Sequence, residues 1–160
     1  MESRAKLLGH SVHQMLIVFP LGLFATGVLF DLVFYGTGNS KFAVVAYWML
    51  LTGVAGALLA APFGLIDWLG IPPHTRARRI GALHGGGNLV VTLLFLVSVL
   101  LREGTISSAP GLAYLCSFAG VLLALVTGWL GGELVDRLGV GVDDQANVDA
   151  PSSLRVVHHR

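Results

Sequence analysis

Charge is scarce in this chain. Only 12% of its 160 residues are Asp, Glu, Lys or Arg, against about a quarter in soluble domains, and 54% are hydrophobic. Such a composition excludes an ordinary water-soluble surface. There is one cysteine, Cys116, which excludes an internal disulfide; among the apolar residues around it, it reads as a small buried hydrophobe. A net charge of +1 without a basic run gives no case for a nucleic-acid partner. The chain also lacks a P-loop and a dinucleotide glycine fingerprint. No Ser-His-Asp or Cys-His arrangement is apparent, so hydrolytic catalysis is not expected.

What the chain has instead is four long apolar blocks, at about 14–35, 42–69, 80–102 and 111–133. A hydrocarbon core of about 30 Å needs about 20 apolar residues as helix, and only helices or closed barrels satisfy their backbone groups inside it. The blocks do not alternate strictly, so they predict an all-α membrane protein with four transmembrane helices in an antiparallel bundle. The first block is longer than a signal-peptide core and no small-x-small cleavage site follows it, which predicts a retained helix. Small residues at Gly56, Ala60 and Gly64, and at Gly120, Ala124, Gly128 and Gly132, predict close helix contacts. Pro20 and Pro62 predict kinks. Residues 1–137 form the membrane domain, and 138–160, polar and with a Pro-Ser-Ser stretch, a disordered tail in which His158 and His159 are solvated.

The connections divide the charge unequally. Arg4, Lys6, Arg76, Arg78, Arg79, Arg137, Arg155 and Arg160 share one side of a four-span chain, and Lys41 and Arg102 the other. By the positive-inside rule both termini are cytoplasmic, in a bacterial-type plasma membrane. The expected partner is the lipid bilayer, with a homo-oligomer left open.

Near the cytoplasmic ends stand His10 and His13 in the first helix, Asp67 in the second, His84 in the third and Glu133 in the fourth. Ionisable groups within a span are costly and mark function by default. They can also be helix-end ion pairs, Asp67 with Arg76, Arg78 or Arg79 and Glu133 with Arg137. His84 is followed by Gly85, Gly86 and Gly87, each costing about 1 kcal/mol in a helix relative to alanine, which predicts a bulky neighbour there: a helix or a flat ligand. Each half of the chain opens with a histidine and closes with a carboxylate, His13 with Asp67 and His84 with Glu133. The spacings, 67 − 13 = 54 and 133 − 84 = 49, suggest a duplicated hairpin, related by an axis along the membrane normal.

Four separated motifs, Gly9-His10-Ser11-Val12-His13-Gln14-Met15-Leu16-Ile17-Val18-Phe19-Pro20, Gly64-Leu65-Ile66-Asp67-Trp68, Leu83-His84 with Asn88, and Gly128-Trp129-Leu130-Gly131-Gly132-Glu133-Leu134-Val135, resemble the domain-of-unknown-function 2231 family of predicted membrane proteins over roughly residues 9–142. The family's opening His-Pro-x-His-Pro has Ser11 and Gln14 here in place of the prolines. Some relatives resemble fusions to a Rieske-type domain, which implies redox work and a redox partner protein.

The function expected is a transition-metal or haem b site at the cytoplasmic end. His10, His13, Asp67, His84 and Glu133 are the metal candidates, and His13 and His84 the haem ligands, with Gly85 to Gly87 giving room to the porphyrin. A non-enzymatic scaffold or assembly factor, in which the cluster is structural, is the rival, and proton or small-solute transport by an oligomer the third reading.

Overall fold

A computed structural model describes residues 1–154; Arg155, His158, His159 and Arg160 lie outside the described residues. Four helices long and apolar enough to cross a membrane pack against one another. The first is divided into α1 (Val12–Leu16) and α2 (Val18–Thr37), followed by α3 (Ser40–Gly70), α4 (Arg76–Arg102) and α5 (Gly111–Gly132), which continues as a π-helical turn over Glu133–Arg137.

Local chemistry sets these ends. Gly38, with φ of +66°, closes α2 in the left-handed conformation that glycine adopts without strain. The Asn39 side chain then accepts from the Lys41 amide at 3.1 Å, and Thr75 accepts from the Arg78 amide at 3.1 Å, capping α3 and α4. The division at Ile17 follows from Pro20, which has no N–H for the Leu16 carbonyl four residues earlier and whose ring crowds it. By contrast, α3 runs unbroken through Pro62.

Two hairpins, α2 with α3 and α4 with α5, form the bundle, joined by contacts of α3 with α4 and of α2 with α5. The core holds Phe24, Val28, Leu50, Val54, Val91, Phe95, Val99 and Ala124. At its centre the Phe24 and Phe95 rings stack with centroids 3.9 Å apart. The exterior is apolar too: Leu29, Leu58, Leu93, Leu122 and Leu125 are exposed, as lipid-facing side chains are.

A small hairpin precedes the bundle, Lys6–Leu7 (β1) pairing antiparallel with His10–Ser11 (β2). Residues 138–154 hold turns without helix or strand. They return to the N-terminal segment, where the Ser153 hydroxyl lies 3.3 Å from His10 Nε2.

Candidate functional site

His13 and His84 meet inside the bundle, their ring centroids 6.4 Å apart and their planes nearly perpendicular. Each ring is fixed in the same way. His13 Nδ1 lies 3.1 Å from the Ala60 carbonyl oxygen, and His84 Nδ1 lies 2.8 Å from that of Thr127. A carbonyl only accepts, so both Nδ1 atoms donate, which in a neutral ring puts the lone pair on Nε2. Each ring also rests on a glycine: a Cβ at Gly64 would come within 2.7 Å of His13 Cε1, and one at Gly131 within 3.0 Å of His84 Cε1.

The second hairpin adds one clamp. Asn88 Oδ1 accepts from the Thr127 hydroxyl at 2.9 Å, and its amide nitrogen stands 3.2 Å from His84 Nε2 and 3.5 Å from Nδ1. The Asn88 amide nitrogen is thus within hydrogen-bonding distance of both ring nitrogens of His84.

The other three candidate ligands are elsewhere. Asp67 accepts from the Ser3 hydroxyl at 2.7 and 2.8 Å, the amides of Arg4 at 2.7 Å and Ala5 at 3.2 Å, and the Ser11 hydroxyl at 3.4 Å. Its carboxylate holds the N-terminal segment rather than an arginine. Glu133 pairs with Arg76 at 2.6 Å, not with Arg137 one turn on. His10 is exposed on β2. Among the described residues no group of three or more His, Cys, Asp or Glu is arranged to hold a metal ion, so the set of five does not assemble. The glycine run also divides: a Cβ at Gly87 would meet the Thr127 methyl at 2.5 Å, whereas Gly85 and Gly86 face open space.

A second polar centre lies at the opposite end of the bundle. Asp31 and Arg102, both fully buried, form a bidentate pair at 2.6 and 2.7 Å. Arg102 Nε donates to Ser98 at 3.2 Å, Ser117 donates to Asp31 at 3.3 Å, and the guanidinium lies 4.5 Å from the Tyr114 ring centre. By sequence Arg102 counts among the charges of the connections and Asp31 has no role. Each is an unpaired charge in an apolar block, and that was the available signal for a partner.

These contacts share an internal symmetry. The facing pairs His13–His84, Phe24–Phe95 and Asp31–Arg102 obey one offset, since 84 − 13, 95 − 24 and 102 − 31 all equal 71. Their supports obey another: Gly53 and Gly120 each receive a phenylalanine, Ala60 and Thr127 each accept from a histidine, and Gly64 and Gly131 each underlie one, with 120 − 53, 127 − 60 and 131 − 64 all equal to 67. The two hairpins are therefore parallel repeats about a pseudo-two-fold axis. The counterpart of Asp67 on that offset is Leu134, which corrects the pairing of Asp67 with Glu133.

A family model described as a predicted membrane protein, DUF2231, matches residues 9–144. No curated protein and no solved structure matches the chain.

Proposed function

From the premise that the chain belongs to the DUF2231 family of predicted membrane proteins, we propose that it is a membrane-embedded electron-transfer protein in which His13 and His84 would hold the iron of a haem b. The observation that carries this reading is the pair of facing imidazoles 6.4 Å apart, each oriented by its Nδ1–H on a backbone carbonyl. Metal-ligating histidines are oriented in that way. Two Nε2 atoms about 2 Å from a shared ion bring ring centres to a separation of about 6 Å. A bare zinc, iron or manganese centre needs two or more further ligands, and Asp67 and Glu133 are engaged elsewhere. Haem brings four nitrogens of its own and needs only two from the protein.

The test is an absorption spectrum with metal analysis on protein purified from membranes supplied with haem precursor. The expected result is a six-coordinate haem spectrum with one iron per chain, lost in His13→Ala/His84→Ala. Native protein with neither haem nor metal would overturn the reading. The scaffold function would then lead, supported by the finding that among the described residues every buried polar side-chain atom has a partner.

A further inference from the structure

The two hairpins share a register but differ where their second helices end. The offset of 67 holds through Asp67 and Leu134, both buried. Around this pair the first hairpin has Pro62, Leu65, Ile66, Leu69 and Gly70, and at the same offset the second has Trp129, Gly132, Glu133, Asp136 and Arg137. Leu65, Ile66 and Leu69 are exposed. Repeats about an axis along the membrane normal share one depth, so the charged set of the second hairpin stands where the first presents apolar side chains to lipid. An apolar set suffices to finish a helix of this bundle, and the fold does not demand the charges.

The backbone departs at the same place. Helix α3 stays regular to Gly70, whereas α5 passes into the π-helical turn Glu133–Arg137, a rare form that is frequent at functional sites. The turn and its approach line a hollow of about 340 Å³ formed by Trp129, Gly132, Glu133, Asp136 and Arg137. Its charges balance. Glu133 pairs with Arg76 at 2.6 Å, while Asp136 and Arg137, both exposed, have no ion-pair partner among the described residues. A carboxylate and a guanidinium left open side by side complement a ligand that carries both an ammonium and an anion. One turn inward stands Trp129, a residue type that gathers at membrane interfaces, and Val126, Leu125 and Leu122 continue its exposed stripe along α5 in apolar side chains.

We propose that this stripe binds one membrane phospholipid with a phosphoethanolamine headgroup, the ammonium on Asp136 and Glu133, the phosphate on Arg137 and Arg76, and an acyl chain along Trp129, Val126, Leu125 and Leu122. The carboxylates select a primary ammonium, which has three N–H donors, over a quaternary one, which has none. The balanced charge selects a zwitterionic head over an anionic one. The site is independent of any haem at His13 and His84.

Native mass spectrometry of the full chain in detergent is the test, with phosphatidylethanolamine, phosphatidylcholine and phosphatidylglycerol of identical acyl chains offered in equal amounts. The native chain should retain one phosphatidylethanolamine in preference to either competitor by about tenfold, the contribution of one charge-assisted hydrogen bond. Asp136→Asn removes an ammonium partner and leaves positive charge in excess, so it should turn the preference towards phosphatidylglycerol. Arg137→Gln should lower retention of all three lipids. Soluble phosphoethanolamine, which has no chain for the apolar stripe, should not displace the bound lipid. Both substituted residues are exposed, circular dichroism checks that the variants keep their helices, and the selectivity of the native chain decides even where a variant fails to fold. Equal retention of the three lipids, a native preference for phosphatidylcholine or phosphatidylglycerol, a selectivity unchanged in Asp136→Asn, or displacement by soluble phosphoethanolamine would overturn the proposal.

Discussion

At the scale of single residues, the energetics centre on Asp31 and Arg102. Two charges removed from water are costly even when paired, but leaving one alone costs about 3–5 kcal/mol. The bidentate geometry, with Ser98 and Ser117 taking the remaining capacity, makes this pair dependent on both members. Asp31→Leu or Arg102→Met alone should therefore destabilise the protein by about that amount, read as a lower melting temperature in detergent. The double variant Asp31→Leu/Arg102→Met should be more stable than either single one. A double variant no better than its parents would show that the two side chains act separately. The pair was hidden in the sequence because 71 residues and two helices separate its members, and no local pattern connects them. Asp67 was hidden for a related reason, since its donors include backbone amides of Arg4 and Ala5, which sequence alone does not mark.

Helices were far more legible than contacts. Hydropathy located all four spans, because in lipid length and apolarity decide which segments become helix. The break at Ile17 was implied by Pro20 through the carbonyl four residues earlier, whereas Pro62 showed that the same residue type can be carried in an unbroken helix. Stripes of small residues were only partly informative. Gly56 and Gly120 do receive a neighbour, Pro20 and Phe95, but Gly128 faces open space. The repeat was visible as a hint from histidine-to-carboxylate spacing, yet its true register needed the facing side chains. That register makes a paired expectation. A Cβ at Gly53 would lie 2.7 Å from Phe24, and one at Gly120 would lie 2.9 Å from Phe95. Gly53→Ala and Gly120→Ala should each disturb the central stack and destabilise by about 1–3 kcal/mol. Gly22, in α2 with open space beside it, should tolerate alanine and gain up to about 1 kcal/mol from helix propensity. Thermal unfolding of the three variants in one detergent tests this; equal effects at Gly22 and Gly53 would contradict the packing argument.

For the whole molecule, the bundle's orientation decides which compartment the histidine end faces, and here the buried ion pair alters the charge count. Arg102 is fully buried inside the bundle against Asp31, so it is not one of the loop charges that the positive-inside rule counts. That leaves Lys41 alone, against eight Lys and Arg on the side shared by the N-terminus, the α3–α4 connection and the C-terminal tail. Arg78 caps the carbonyls of Trp68 and Ile71 and stacks on the Trp68 ring at 3.8 Å, which keeps its charge at the helix ends, where the positive-inside rule counts it. The positive-inside rule therefore predicts a cytoplasmic histidine end and an outward-facing Asp31–Arg102 end. A fusion after Arg160 should be active with a cytoplasmic reporter and silent with a periplasmic one, and a fusion in the α4–α5 loop at Gly104 should behave the opposite way. Because the asymmetry is large, Lys41→Gln should leave both results unchanged. Periplasmic activity at the C-terminus would invert the molecule and require any electron donor to reach the histidines from outside the cell.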